Sequence, residues 1–289
     1  MREHTIVELD DGTGRWTNWG QNVSTHVQRF LQPETEEDVV GIVLAAREAG
    51  RKVRVVGAGH SSSRVAATTG TLISLDRMQG VVSADPGTGR ARILAGTRLK
   101  HLGAPLWQAG LSLQNQGDID QQSMAGAMST GTKGSGIGFG GVAARVRSVR
   151  LVNGRGEIVE IDESQPELLN AARVSLGLLG VITEVVYEAV PRYELSESYV
   201  PVRYEELKPD IDRLVRENRH FSFFYFPHEK SSKLYFPDEE AYPAGVTLTK
   251  RLNALPIGKD VVEGEWGDRT GPVIPASAEQ RAVRPGGDD

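Results

Sequence analysis

Val53-Arg54-Val55-Val56-Gly57-Ala58-Gly59-His60-Ser61-Ser62-Ser63 runs from a valine-rich strand straight into a glycine loop. Such a loop lines up several backbone N–H groups in a concave nest that suits a phosphate, and its serines add hydroxyl donors. Upstream, Val39, Val40, Ile42, Val43 and Ala46 recur at helical spacing. Thr35 is their N-cap, Asp38 stands as the second member of a capping box, and Gly50 closes the helix. Pro33 separates that helix from a strand at Val27–Leu31. A β-α-β unit therefore delivers the glycine loop at the end of its second strand. A dinucleotide fingerprint needs a third glycine and an immediate helix. Here Ser62 and Ser63 follow, and Val65 to Gly70 carries no helical stripe. The loop alone also fits a tight turn with a surface histidine.

Further along, strands are expected at Leu72–Leu75 and Arg92–Ala95, around a turn at Asp85-Pro86-Gly87-Thr88-Gly89. A helix is expected over Arg98–Ala109, with Leu99, Leu102 and Leu106 on one side. The stretch Gly117–Gly141 holds eight glycines in 25 residues, too many for one helix or strand. Its first part is Gly117-Asp118-Ile119-Asp120-Gln121-Gln122-Ser123-Met124-Ala125-Gly126-Ala127-Met128-Ser129-Thr130-Gly131-Thr132-Lys133-Gly134-Ser135-Gly136. Small residues let backbone approach a flat or extended ligand. Ser123, Ser129, Thr130, Thr132 and Lys133 offer donors for a diphosphate. Ile119, Met124 and Met128 argue against a simple flexible linker. Strands at Val149–Val152, Glu157–Ile161 and Val181–Glu188, and a helix at Pro166–Val174, complete this part.

The 289 residues contain no cysteine, which excludes disulfides, thiol nucleophiles and cysteine-bound metals. The isolated histidines have no metal-ligand spacing, so no metal is expected. Basic residues outnumber acidic ones 17 to 13 over 1–150, whereas acidic residues lead 25 to 16 over 151–289. The net charge of −5 argues against nucleic-acid binding, and a modest anion suits the positive half that holds both glycine loops. No apolar run is long enough to span a membrane, and no secretory signal is visible. A cytoplasmic location is the expectation.

From Trp16-Thr17-Asn18-Trp19 to about Phe236 the chain resembles the aldonolactone oxidases and their alditol oxidase relatives. The matching marks are the Asn-Trp entry, the helix after Gln32-Pro33, Val55–Ser61 and the Gly117–Gly136 loop. Gly177-Leu178-Leu179-Gly180-Val181-Ile182-Thr183 and Phe224-Tyr225-Phe226-Pro227-His228 complete the series. The resemblance implies an α+β fold: a two-lobed FAD-binding domain of the vanillyl-alcohol oxidase (PCMH) type with an incomplete substrate, or cap, domain. It implies FAD as cofactor, held around the diphosphate by Gly57, Ala58, Gly59 and Ser61. Asp118, Ser123, Gly126, Thr130, Gly131, Thr132 and Lys133 match the second cofactor loop, and Ile182 matches a residue that touches the cofactor through its backbone. Relatives often carry Ser at the position of Asp118 and His at that of Lys133. His60 matches the histidine that many members bond to the flavin 8α-methyl carbon. The implied reaction is hydride transfer from a sugar lactone or polyol CH–OH to flavin, with oxygen or another acceptor taking the electrons.

The expected organisation is an N-terminal arm (1–22), the FAD-binding domain (23–192), the start of a substrate domain (193–242) and an irregular tail (243–289). Family members continue for over a hundred residues, to a His-Trp-x-Lys mark that is absent here. No catalytic base is assigned. A truncated FAD-binding domain without turnover is the alternative, and a nucleotide-binding regulatory module unrelated to flavin is a third reading.

Overall fold

The computed structural model describes residues 5–8, 13–228, 245–255 and 282–283. The chain divides into two compact units, one of residues 1–134, 140–192 and 286–289, the other of residues 135–139 and 193–285.

The first unit begins with an antiparallel ribbon of β1 (Thr5–Glu8), β2 (Gly14–Thr17) and β3 (Ser24–Val27). Next come β4 (Arg29–Leu31), α1 (Glu36–Glu48), β5 (Val53–Val56) and β6 (Thr71–Ser74). Strands β4, β6 and β5 form a parallel sheet in that order. The single strand expected at Val27–Leu31 is thus two short ones. Val27 pairs with Gly14 in the ribbon, Arg29 pairs with Thr71 in the parallel sheet, and the chain changes sheets at Gln28. Thr35 caps α1 as the sequence predicts. Its hydroxyl oxygen accepts the Asp38 N–H at 3.1 Å, and the Asp38 carboxylate accepts the Thr35 N–H at 3.0 Å. Val39, Val43 and Ala46 form the buried face of α1.

A second lobe of the same unit holds β7 (Val81–Asp85), β8 (Arg90–Leu94), α2 (Gly103–Gln108), β9 (Leu111–Ser112) and α3 (Met124–Ser129). It continues with β10 (Val146–Val152), β11 (Ile158–Asp162), α4 (Pro166–Arg173), β12 (Val181–Glu188) and β13 (Val190–Pro191). Five strands make an antiparallel sheet in the order β11-β10-β12-β8-β7. The expected helix over Arg98–Ala109 is a short 3-10 turn, Leu99–His101, followed by α2. Pro105 lies in the first turn of α2, where its missing N–H has no intrahelical partner to lose. Leu99, Leu102 and Leu106 are buried together with Ile93, Val149 and Val185 in one core. Glu36, in the first turn of α1, ties the lobes together. It accepts bonds from Arg150 on β10 (2.8 Å) and from the Thr183 hydroxyl on β12 (2.6 Å).

The second unit is built from β14 (Glu194–Arg203), α5 (Tyr204–Leu207), α6 (Ile211–Glu217), β15 (His220–Phe226) and β16 (Val246–Leu255). Its sheet places β16 between β15 and β14. Leu207, Leu214 and Phe221 are the buried residues of its core. Strand β16 lies inside the stretch 243–289 expected to be irregular, and corrects that reading for its ten residues. Its buried positions include Thr247 and Thr249, whose hydroxyls donate to the Val202 and Val200 carbonyls at 2.9 Å, so the strand hides part of its apolar alternation. The rest of the expected tail, apart from Gly245 and residues 282–283, lies outside the described residues.

Candidate functional site

Both glycine stretches of the first unit converge on one open cleft. One wall is the end of β5 with Gly57, Ala58, Gly59, His60 and Ser61. The facing wall is Gln122, Ser123, Ala125, Gly126, Ser129 and Thr130, the N-cap and body of α3. The remaining sides come from the ends of β6 and β8 (Leu75, Asp76, Ala95, Gly96) and from Leu176, Gly177, Gly180 and Ile182.

The walls touch at Gly57. A Cβ there would lie 2.2 Å from Ser123 Oγ, so only glycine lets the first loop pass this close to α3. Ser123 Oγ meanwhile accepts the Gly126 N–H at 3.2 Å, which caps α3. Gly180 does the same for the strand entry. At φ +153° its Cβ would fall 2.3 Å from the Val152 carbonyl, so glycine is needed where the chain turns into β12 and brings Ile182 to the cleft.

His60 is held from outside the cleft by the turn between β2 and β3. The Trp19 ring stacks on the imidazole, centroids 4.8 Å apart and planes at 20°. Trp19 N–H donates to the Gly59 carbonyl (3.0 Å), Asn18 Nδ2 to the Ser61 carbonyl (3.0 Å) and Asn22 Nδ2 to the Ser62 carbonyl (3.0 Å). Burial, with the positive charge of Arg98 adding to it, holds the His60 pKa below the ordinary histidine value. The imidazole is therefore neutral at neutral pH, with a lone pair on one ring nitrogen. Arg98 is itself buried (4% exposed) and reaches Asp76 at 2.5 Å, so the cleft side carries a paired rather than an isolated charge.

Of the residues singled out in the sequence, Gly57, Ala58, Gly59, His60, Ser61, Ser123, Gly126, Ser129, Thr130 and Ile182 come together around the cleft. Asp118, Gly131, Thr132 and Lys133 are not part of its lining. Thr132 acts one step behind it: its hydroxyl oxygen accepts the Gln122 side-chain N–H at 3.0 Å, and Gln122 is in the wall. Thr130, which does line the cleft, spends its hydroxyl hydrogen on the Gly126 carbonyl at 2.8 Å. Gly96, Asp76 and Gln122 were not identified from sequence. A glycine directly after the strand expected at Arg92–Ala95 was the available signal for Gly96.

The residues present fit a flavin dinucleotide. Glycine and alanine line the cleft from five chain segments, the hydroxyl residues Ser61, Ser123, Ser129 and Thr130 share the lining, and apolar Val65, Ala66, Leu176 and Ile182 offer a slot for a ring. Among the described residues no cluster of His, Cys, Asp and Glu suits a metal ion.

Residues 27–162 match the family described as FAD binding domain. The chain is 36% identical over 231 residues to the L-gulono-1,4-lactone dehydrogenase of Mycobacterium tuberculosis, covering 79% of this chain and 54% of that protein. It is 35% identical over 232 residues to the D-arabinono-1,4-lactone oxidase of Eremothecium gossypii, covering 78% and 44%. The L-gulonolactone oxidase of Bos taurus is 32% identical over 230 residues, covering 79% and 52%. The chain thus spans about half the length of the curated relatives it matches. Among solved structures, cholesterol oxidase from Brevibacterium sterolicum aligns with a TM-score of 0.72 at 16% identity, over 88% of this chain and 48% of that one. Alkyldihydroxyacetonephosphate synthase aligns with a TM-score of 0.66 at 17% identity, over 79% and 49%. These likenesses show the fold alone. Residues 27–162 thus match an FAD binding domain, and about four-fifths of the chain is similar to part of the lactone oxidoreductases.

Proposed function

We propose that this chain takes part in an FAD-dependent oxidation of a sugar lactone or polyol at a CH–OH carbon, with oxygen or another acceptor removing the electrons. The observation that carries the proposal is the cleft in which the Gly57–Ser61 loop meets the capped start of α3. FAD, when bound, supplies a ring that accepts a hydride; the protein's part is binding, orientation and exclusion of water. In that division of labour the two glycine segments hold the diphosphate. Ile182, buried on β12, presents backbone to the cofactor, and Gln122 is kept in place by Thr132. The substrate class rests on the names of the relatives.

The proposal extends to covalent attachment through His60. His60 would hold the flavin through a neutral imidazole nitrogen at the 8α-methyl carbon, the imidazole N–H and one methyl C–H each giving up a hydrogen to dioxygen, which would leave as hydrogen peroxide. Burial and the neighbouring Arg98 charge support the neutral state that this needs. A cytoplasmic location belongs to the same proposal and rests on composition, which includes no cysteine.

The test is anaerobic titration of the FAD-loaded chain with L-gulono-1,4-lactone, D-arabinono-1,4-lactone and an alditol. Loss of the flavin's visible absorbance with one of them is the expected result. A chain that binds FAD and is bleached by none of them supports the alternative, a flavin-binding domain without turnover. Acid precipitation separates the covalent claim: a yellow pellet supports it, and a colourless pellet under a yellow supernatant overturns it.

A further inference from the structure

We propose that Trp19, held by the Asn18–Asn22 turn, is the positioning residue for His60, fixing the plane of its imidazole and the side of the ring offered to the cleft. The inference rests on the proposed role of His60 toward the flavin. Three hydrogen bonds run from this turn to one loop. Trp19 N–H meets the Gly59 carbonyl, Asn18 Nδ2 the Ser61 carbonyl and Asn22 Nδ2 the Ser62 carbonyl, all at 3.0 Å. Asn18 is 2% exposed and fully used. It accepts the Val23 N–H at 3.0 Å and also donates to Asn22 Oδ1 at 2.7 Å, so the turn is rigid before it touches the loop.

Peptide planarity converts these contacts into orientation. In a trans peptide the carbonyl and the following N–H point to opposite sides. With the Gly59 carbonyl committed to Trp19, the His60 N–H points away from the turn, and the same holds for Ser62 N–H after the Ser61 carbonyl. The backbone of the loop is therefore set by the turn. The indole does for the side chain what the three bonds do for the backbone. A stack at 4.8 Å and 20° fixes the imidazole plane and covers one of its faces against water. Trp19 has no comparable task in the core. It is 41% exposed, whereas Trp16, three residues earlier on β2, is 1% exposed and belongs to the small core with Val23, Val27, Val56 and Leu72. An exposed tryptophan whose ring stacks on one loop histidine is placed for that histidine.

The experiment uses the full chain with Trp19→Ala and Trp19→Phe, and His60→Gln to assign the His60 signals. Long-range nitrogen–proton NMR on histidine-labelled protein reads, without flavin, which ring nitrogen of His60 carries the proton. The wild type and Trp19→Phe should show one dominant tautomer, and Trp19→Ala a mixture. With FAD added, formation of acid-stable flavin should slow about 100-fold in Trp19→Ala, the size expected when a reacting group leaves its near-attack geometry, and recover in Trp19→Phe. An unchanged tautomer in Trp19→Ala overturns the inference, and so does a Trp19→Phe variant that behaves like Trp19→Ala. If the wild type itself yields no acid-stable flavin, the covalent reading fails, and the tautomer measurement decides the role of Trp19 by itself.

Discussion

Replacing Gly57 by alanine tests the contact on which the cleft is built. The new Cβ would stand 2.2 Å from Ser123 Oγ and 3.2 Å from Ser123 Cβ. Rotating Ser123 moves Oγ away but leaves Cβ in place, and it breaks the bond from Gly126 N–H that caps α3. Loss of the cap costs about 1 kcal/mol. The residual crowding costs about 1–3 kcal/mol, the usual range for an overfilled site. The alanine returns about 0.4–1 kcal/mol by restricting the unfolded chain. The net expectation is a loss of about 1–3 kcal/mol, read by urea unfolding of the flavin-free chain so that ligand binding does not enter. Ser123→Gly supplies the control, because glycine is tolerated at an N-cap at a cost of only a few tenths of a kcal/mol and removes both crowded atoms. In that background Gly57→Ala should cost nothing, which gives a coupling of about 1–3 kcal/mol in the double-mutant cycle. A Gly57→Ala variant as stable as the wild type, or one equally damaging in both backgrounds, would refute the account of how the two walls meet.

Gly180→Ala should destabilise by more than Gly57→Ala, because the atom it meets, the Val152 carbonyl at 2.3 Å, belongs to a paired strand and cannot rotate away; thermal unfolding measures this. Asp76→Ala leaves Arg98 buried without its carboxylate and should cost about 3 kcal/mol or more in denaturant unfolding, while Asp76→Ala combined with Arg98→Met recovers most of it. Burial pushes the Glu36 carboxyl up, but the Arg150 and Thr183 hydrogen bonds outweigh it, so its folded pKa lies below the ordinary glutamate value. A lowered folded pKa contributes stability that is present above the unfolded value and is lost as pH falls through the folded one. Glu36→Gln should therefore lower the melting temperature at neutral pH, at a cost of about 1.5–3 kcal/mol for hydrogen bonds to a charged group. The gap to wild type should narrow in acid; a gap that stays constant down to strongly acidic pH would count against the clamp.

Local rules wrote the legible part of this fold. Thr35 and Asp38 lie three apart and need nothing else to cap α1, so the box seen in the sequence is the box in the structure. The same holds for the Asp85–Gly89 turn, where Asp85 accepts the Gly87 N–H at 2.8 Å, and for the two glycine segments that became the cleft walls. What escaped depends on partners far away in the chain. Nothing near Gln28 says that the chain leaves an antiparallel ribbon there for a parallel sheet, because the choice is made by Gly14 and Thr71. Asp76 and Arg98 are 22 residues apart, with β7 and β8 between them in the chain, so their pairing is not visible locally.

Thr132 shows why a motif match and a contact are different things. It falls in the second loop by resemblance, and the structure uses it to hold Gln122, which sequence reasoning passed over. Both positions matter to the wall, but through different steps. Substituting Gln122 changes a group that can touch the cofactor, whereas substituting Thr132 changes only how firmly that group is held. Thr132→Val keeps the side chain's shape and removes the acceptor. It should weaken FAD binding less than Gln122→Ala does, and it should add nothing once Gln122 is already alanine, since its effect runs through the missing amide. Titration of the four proteins with FAD, followed by flavin fluorescence, reads this directly. A Thr132→Val effect that persists in full in the Gln122→Ala background would mean that Thr132 reaches the cofactor by itself, and that the cleft closes around the ligand farther along the second loop than this structure places it.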